Sequence, residues 1–191
     1  MKTVICPLAL SDRESAFLQA LQEHFSAACN LAAAIARQHH CTARVALHHL
    51  AYQPLRARFP QLGAQMACNA IYTVARTFKQ LGLQRSNAPL PRLVFAPTAP
   101  VFFDQRTLTL KEQQVSLFTL DGRLHFNLSL NEASAQLLST LALKEVVLMG
   151  QAGRYSLHFF LEAKSPQLPA HLVTDAQQQQ VFVDSAYTCN L

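Results

Sequence analysis

The sequence lacks an apolar run of the length that crosses a membrane, and it lacks a closely spaced cysteine pair. Its 191 residues include five cysteines, an odd number, and none of them forms a Cys-x-x-Cys motif. Isolated cysteines in odd number are typical of a reduced intracellular protein and predict no zinc ribbon. The opening residues, MKTVICPLALSDRES, reach charge too early for the apolar core of a secretory signal. We therefore expect a cytoplasmic protein.

Glycine and acidic side chains are also scarce. The five glycines form no phosphate-binding loop, and no Ser or Cys nucleophile with a histidine base can be identified, so an enzyme of small molecules is not favoured. Residues 1–92 contain ten Lys or Arg against three Asp or Glu, a net charge of +7, whereas residues 93–191 carry −2. An arginine-rich half is typical of contact with phosphates, although a generic basic surface has the same charge.

Apolar periodicity predicts a strand and then a long helix at the start of the chain. The strand is predicted within residues 2–8, where Pro7 terminates it. Ser11 then begins S-D-R-E, a capping box in which Glu14 bonds back to the Ser11 amide. The helix is expected to run to about Arg37. Its apolar stripe comprises Phe17, Leu21, Phe25, Ala28, Ala32 and Ile35.

A second, shorter helix is predicted over residues 42–59. Val45, Leu50 and Leu55 are expected to face inward, and Pro54 is expected to kink or break the helix because proline cannot donate the backbone hydrogen bond.

The third predicted helix, from Gly63 to Leu81, has one apolar and one polar side. The polar stripe combines amide, phenol and cationic groups, which can contact base edges and phosphates, although a solvated helix face has the same pattern. The apolar side comprises Ala67, Ala70, Ile71, Val74, Phe78 and Leu81, and the polar stripe comprises Gln65, Asn69, Tyr72, Arg76 and Lys79. In addition, Tyr52 with Arg56 and Arg58 suits stacking on unpaired bases, with a core role for the tyrosine as the alternative.

The second half predicts antiparallel strands. Proline-rich residues 82–100 separate it from the helices. Asp121-Gly122 lies between two alternating apolar runs and predicts a hairpin, and Gly150–Gly153 predicts another. Asn131–Leu141 is expected to be a short helix. The polar connector in residues 164–180 then leads to a final apolar strand at Val181, Phe182 and Val183.

Several segments in this order resemble the N-terminal half of the transposon-encoded TnpB proteins, which are relatives of type V CRISPR effectors. The segments are FSAACNLAAAIA (25–36), RVALHHLAYQPLRARFP (44–60), LGAQMACNAIYTVARTFK (62–79), SNAPLPR (86–92), VSLFTLDGRLHF (115–126) and GRYSLHFFLEA (153–163). The resemblance implies an α+β fold in which an antiparallel, wedge-like β-barrel holds an inserted helical bundle, followed by a linker and an orphan RNase H-like strand. The implied parts are a first barrel strand (1–10), a helical recognition insert (11–85), the barrel (86–165), the linker (166–180) and an incomplete RuvC-like strand (181–191).

The resemblance also implies a role for Asp184. Val183-Asp184 and Asn190-Leu191 match the first RuvC strand of that family, whereas Phe182 and Ala186 replace its usual glycines. Asp184 would be one of three carboxylates that hold two Mg²⁺ ions, and one carboxylate cannot form such a site. The chain alone is therefore expected not to be a nuclease, and Mg²⁺ is expected only with a partner chain that carries the rest of the RuvC fold.

The resemblance implies guide RNA and double-stranded target DNA as partners, no membrane, and a nucleoid-associated prokaryotic protein. A group of cysteines and histidines lies close together in the sequence, but its spacing does not match the paired ligands of structural zinc, so no zinc site is expected. The group comprises Cys29, His39, His40, Cys41, His48 and His49.

The sequence leaves three hypotheses about function open. The chain is the recognition subunit of an RNA-guided DNA-targeting system, a nuclease-free RNA-guided binder, or a module that contacts only protein.

Overall fold

The computed structural model describes residues 1–83 and 89–163, and outside these ranges only two short strands. The protein is a mixed α+β molecule with four α-helices and antiparallel sheets in its described part. In chain order the elements are β1 (Lys2–Pro7), α1 (Asp12–Gln38), α2 (Arg44–Arg58), a 3-10 turn (Pro60–Leu62), α3 (Ala64–Gln80), β2 (Val101–Phe103), β3 (Leu108–Lys111), β4 (Gln114–Thr119), β5 (Gly122–Asn127), α4 (Glu132–Thr140), β6 (Ala142–Gln151), β7 (Arg154–Glu162), β8 (Leu172–Asp175) and β9 (Gln180–Val183).

The main sheet has the order β1-β7-β6-β2, and the second sheet has the order β3-β4-β5. All neighbouring strands are antiparallel. The helices α1, α2 and α3 lie in the chain between β1 and β2, the two edge strands of the main sheet. The predicted α+β class is confirmed, but the described strands form separate sheets that do not close into a barrel.

Helix α1 begins with the predicted capping box. The Ser11 side chain accepts a hydrogen bond from the Glu14 amide, and Glu14 in turn accepts from the Ser11 backbone N–H at 2.8 Å. The Ser11 hydroxyl also donates to the Glu14 carboxylate at 2.6 Å, and this bond together with the one from the Ser11 backbone N–H lowers the pKa of Glu14, because both favour its charged form. The helix ends at Gln38, close to the predicted end at Arg37. Its buried face is broader than the predicted stripe and includes Leu18, Leu21, Gln22, Phe25, Ser26, Ala28, Cys29, Ala32, Ala33 and Ala36.

The predicted orientation of α2 is partly wrong. The helix buries Leu47, Ala51 and Leu55, at a spacing of four residues, so Val45 and Leu50 lie on its outer sides and are 70% and 36% exposed. Pro54 does not break the helix, which continues to Arg58. Because Pro54 has no backbone N–H, the Leu50 carbonyl lacks its usual helical hydrogen-bond donor. Pro54 and Leu50 are both exposed. That carbonyl therefore lies on the side that water can reach.

Helix α3 packs against α1 and α2 through the predicted apolar side, except that Leu81 follows the last helical residue and is 54% exposed. Residues 89–100 contain no helix, as their prolines predict. This segment is bound to α1 by two amide side chains. Gln22 donates to the Thr98 and Ala99 carbonyls, and Asn30 both donates to the Phe95 carbonyl at 2.9 Å and accepts from the Phe95 N–H at 2.7 Å.

Both predicted hairpins and the short helix α4 are present. In the first hairpin Thr119 pairs with Gly122, so the loop is Leu120-Asp121, one residue earlier than the Asp-Gly pair itself. In the second, Gln151 pairs with Arg154 across Ala152-Gly153. Asn131 caps α4 by accepting a hydrogen bond from the Ser134 amide at 2.8 Å.

The predicted apolar strand at Val181–Val183 lies within β9. There β9 forms an antiparallel pair with β8, a strand inside the segment that the sequence predicts as a linker. Asp184 of the predicted RuvC motif lies outside the described residues, as do Ala186, Asn190 and Leu191. None of the described helices has an apolar stretch long enough to cross a membrane.

Candidate nucleic-acid interface

Four planar side chains form a column where α2 packs beside α3. Arg44, His48 and Tyr52 follow one another at a spacing of four on α2, so they lie on one face of that helix. The Arg44 guanidinium lies 3.7 Å from the centroid of the Tyr72 ring on α3. The His48 ring is 6.2 Å from Tyr72 and stacks on Tyr52 at 5.0 Å with an interplanar angle of 24°. We call Arg44, His48, Tyr52 and Tyr72 the aromatic column.

The column is half-buried at each of its four residues, so each side chain retains an accessible part. The His48 Nδ1 atom is buried and has no hydrogen-bond partner in the described part of the chain. Tyr52 and Tyr72 are both predicted at a nucleic-acid surface, and in the structure both rings lie near the His48 ring. The sequence does not single out Arg44 and His48 for such a role, although their spacing of four with Tyr52 is a signal of one helix face.

Arg56 and Arg58 lie at the C-terminal end of α2. The Arg56 Nη1 atom donates to the Pro60 carbonyl at 3.3 Å, and the Arg58 guanidinium lies 5.8 Å from the Phe59 ring. Cations are favourable at this end of a helix because its free carbonyls are partly negative. A local structural role therefore exists for both, and Arg58 remains exposed to solvent.

The predicted polar stripe of α3 is not one exposed line. Asn69 is only 6% exposed, because β2 and the turn after it cover this side of the helix. Its amide donates to the Phe102 carbonyl at 3.3 Å and to the Thr107 hydroxyl at 3.5 Å. The expectation that Asn69 contacts bases from the surface is therefore corrected, since its amide hydrogens are used inside the protein.

Arg76 is at the surface but its charge is paired. The guanidinium contacts both carboxylate oxygens of Glu145 at 2.5 and 3.2 Å and lies 4.3 Å from the centroid of the Phe102 ring. This ion pair offsets the charge that the predicted phosphate contact of Arg76 would use. Lys79, one turn further along α3, is exposed and has no ion-pair partner among the described residues.

Gln65 is bonded at both ends of its side-chain amide. Its Nε2 atom donates to Asp104 Oδ2 at 2.5 Å and to Asn69 Oδ1 at 3.3 Å. Its Oε1 atom accepts from Arg106 Nη1 at 3.1 Å. Arg106 is exposed and is not among the residues that the sequence predicts to bind nucleic acid. It lies in a turn without periodicity, and the only sequence signal is Asp104 followed by Thr107, a pattern typical of a side-chain-capped turn.

Several charged side chains influence the pKa of Cys68, which lies between Gln65 and Tyr72 on α3. Burial raises the pKa of the Cys68 thiol and the Asp104 carboxylate adds to this rise, whereas Arg106, Arg44 and Arg56 act in the opposite direction. Two arginines of α2 and one from the turn after β2 therefore lie close enough to Cys68 to oppose the rise in its pKa. Within residues 1–83 and 89–163, these arginines form no ion pair with a carboxylate.

In the described part of the chain, no group of three or more His, Cys, Asp or Glu side chains is placed to hold a metal ion. Asp184, the residue that the resemblance assigns to Mg²⁺, lies outside that part. The surface described above offers stacking planes and unpaired guanidinium groups.

Comparison of the chain with protein-family models and with curated proteins finds no match.

Proposed function

We propose that this protein binds nucleic acid with unpaired bases, and that the aromatic column is the centre of the binding surface. The observation that carries the proposal is the half-exposed stack of a guanidinium, two tyrosines and a histidine. Unpaired bases stack on aromatic rings and on guanidinium planes, and each stacked base contributes about 1–3 kcal/mol to binding. A base inside a duplex does not offer its face in this way, so a single strand is favoured over a duplex.

The surrounding charge supports the same ligand. Arg44 and Arg106 have no carboxylate partner within the described residues, whereas Arg76 and Lys144 are paired with Glu145 and Glu162. Unpaired arginines beside an aromatic stack provide both the phosphate contacts and the base contacts that single strands require. Arg56 lies near enough to influence Cys68 and extends the positive region along α2.

The wider proposal is that the chain is the recognition part of an RNA-guided DNA-targeting system, with a guide RNA as the ligand of this surface. It is supported by the resemblance of the quoted segments to TnpB proteins and by their order along the chain. In this proposal the two main sheets act as the wedge-like element and α1–α3 as its helical insert. Any cleavage of double-stranded DNA is left to a partner chain with the remaining RuvC carboxylates.

The first experiment measures binding of the full chain to a short fluorescent oligouridine RNA by anisotropy at low salt. Arg44→Gln and Tyr72→Leu should each weaken binding by about tenfold, since stacking energies of about 1–3 kcal/mol correspond to factors of roughly 5 to 150. Arg13→Gln is the matched control, because Arg13 lies 5.4 Å from the Phe17 ring on α1, a similar pair outside the column.

Circular dichroism melting checks that each variant is folded. No binding of RNA by the unmodified chain would contradict the proposal, and so would an equal loss in Arg13→Gln and Arg44→Gln. Stronger binding of a matched DNA duplex than of the single strand would contradict the preference for unpaired bases.

A further inference from the structure

The turn after β2 is stabilised by hydrogen bonds to one carboxylate, that of Asp104. Asp104 Oδ1 accepts hydrogen bonds from the Arg106 and Thr107 backbone amides, each at 3.0 Å, and from the Thr107 hydroxyl at 2.8 Å. The Arg106 carbonyl also accepts a long hydrogen bond from Arg123 Nη1 at 3.5 Å. The backbone of Arg106 is therefore bonded on both its N–H and its carbonyl side, although its side chain is exposed to solvent.

The side chain of Gln65 has no free N–H group. A side-chain amide has two donors, and those of Gln65 are directed at Asp104 and Asn69. A paired hydrogen bond to adenine needs one free donor and one free acceptor on the same amide. Gln65 would have to leave Asp104, and thereby leave a carboxylate oxygen without its partner, before it could make such a contact.

Arg106, by contrast, has donors to spare. A guanidinium carries five N–H groups in a fixed planar fork, and only one contact of the Arg106 side chain, from Nη1 to Gln65, is formed among the described residues. The acceptor in that contact is fixed in place by Asp104 and Asn69. Holding one arm of the fork reduces the freedom that the side chain loses on binding, which strengthens a contact made by the other arm.

We infer that Arg106 is the residue of this turn that contacts bound nucleic acid, and that Gln65 and Asn69 position it without making that contact themselves. This inference rests on the proposed function. The ligand chemistry is a pair of adjacent acceptors, such as two phosphate oxygens or the O6 and N7 atoms of guanine, which match the guanidinium fork.

The placement of Arg106 fits a strand that crosses the aromatic column. Gln65 and Tyr72 lie on one side of α3, about 10 Å apart along the helix axis at 1.5 Å per residue. Arg106 is bonded to Gln65, and Arg44 is stacked on Tyr72. A single strand stacked on the column therefore reaches Arg106 within a short distance along its backbone.

The test is a double-mutant cycle in RNA binding by the full chain, with Gln65→Ala, Arg106→Ala and the combination. Arg106→Ala should weaken binding by about tenfold, as expected for the loss of a bidentate contact. Gln65→Ala should weaken binding in the unmodified background and have no further effect in the Arg106→Ala background, because it acts only through Arg106. Arg106→Lys should recover less than half of the loss in free energy, because lysine lacks the fork.

Arg154→Ala is the control for charge, since Arg154 is exposed at the start of β7. All measurements are made at a temperature where circular dichroism shows every variant folded. An effect of Gln65→Ala that is equal in both backgrounds would overturn the inference, because Gln65 would then act on its own. A loss in Arg106→Ala no larger than that in Arg154→Ala would also overturn it.

Two probes separate the two sources of the acceptor pair. Loss of binding to oligouridine assigns Arg106 to phosphate. Loss that occurs only with a guanine-containing strand, and that 7-deazaguanine reproduces in the unmodified protein, assigns Arg106 to guanine. If the unmodified chain binds neither probe, the proposed function itself fails. If it binds and Arg106→Ala binds equally well, only the present inference fails.

Discussion

Arg76 on α3 and Arg106 in the turn after β2 are both arginines near the surface, but they differ in their partners. Arg76 is paired with a carboxylate through two contacts and covers an aromatic ring, whereas Arg106 is bonded to a neutral amide. A paired guanidinium contributes little net charge to a nearby phosphate. The residue with the fewer internal contacts is therefore the one available to a ligand.

Replacing Glu145 by Gln should release the charge of Arg76 and strengthen RNA binding. The variant removes the carboxylate but keeps the size of the side chain. We expect tighter binding and a log–log salt dependence that becomes steeper by roughly 0.7 for one additional neutralised phosphate on a single strand. Anisotropy titrations at several salt concentrations measure both quantities.

Glu132→Gln is the matched control, because Glu132 is exposed in the first turn of α4 and its loss changes the net charge equally. The same change in salt dependence in both variants would show that only the total charge matters. In that case Arg76 would have no particular place in the binding surface.

Gly150 near the end of β6 is a second residue whose replacement has a clear consequence. Its φ is +147°, and a Cβ atom there would lie 2.1 Å from the Arg154 carbonyl oxygen and 2.7 Å from Tyr155 Cα. Both atoms belong to the backbone of the paired strand and cannot move aside. Gly150→Ala should therefore lower the free energy of unfolding by about 2 kcal/mol or more in a urea titration.

Gly82→Ala is the comparison for that titration. Gly82 also has a positive φ, +71°, but a Cβ atom there has no neighbour within 4 Å. Its replacement should lower the free energy of unfolding by only the roughly 1–2 kcal/mol that a side chain costs in this left-handed backbone conformation. Equal losses in the two variants would show that the strain of the positive φ, and not the contact with β7, determines the cost at Gly150.

The residues of the site are predictable where they belong to a periodic pattern. The spacing in α3 predicts Tyr72 on its polar side, and the structure places its ring 6.2 Å from the His48 ring, which stacks on Tyr52. Asn69 is polar and is therefore predicted at the surface, but its partner is the carbonyl of Phe102, thirty-three residues away in the chain. The contact of Arg106 with Gln65 is not predictable, because it joins residues far apart in the chain and leaves no local pattern.

At the scale of elements, α1 connects the helices to the segment before β2. The buried side chain of Gln22 donates to the carbonyls of Thr98, Ala99 and Gly150 at 2.8, 3.1 and 3.2 Å. These acceptors belong to the proline-rich segment and to the end of β6. One amide therefore joins a helix to two other parts of the chain.

Replacing Gln22 by Leu should lower the free energy of unfolding by about 1–3 kcal/mol, because the partly buried carbonyls lose their donor. Urea unfolding followed by circular dichroism measures this change. Gln19→Leu is the control, since Gln19 is exposed and donates only to Glu23 one turn along. The interpretation fails if the two variants lose the same stability.

The elements themselves follow from local signals. The capping box at Ser11, the spacing of apolar residues in α3 and the glycines of the hairpins are sufficient to predict α1, α3 and β4–β7. Which side of α2 is buried is not predictable in the same way. Its buried residues Leu47, Ala51 and Leu55 include a small alanine, whereas the bulkier Val45 and Leu50 lie outside because α1 and α3 approach from the other side.

At the scale of the whole molecule, the proposed resemblance to a RuvC-type nuclease offers a single carboxylate, Asp184, for metal binding. The isolated chain is expected not to cleave DNA in the presence of Mg²⁺ or Mn²⁺, because two-metal cleavage needs several carboxylate ligands. A gel assay with supercoiled and linear DNA checks this expectation. Metal-dependent cleavage that disappears in Asp184→Ala would contradict it.

The pairing of β1 with β7 has a consequence for the order of assembly during synthesis. Lys2 in β1 pairs with Leu161 in β7, and Pro7 pairs with Ser156. Ribosomes add roughly 5–20 residues per second, so β1 waits on the order of ten seconds for the strand that pairs with it. The helices α1, α2 and α3 are complete well before that time and contact one another directly. The helical part can therefore fold on the ribosome while Val4 and Cys6, buried in the finished sheet, remain available to a chaperone.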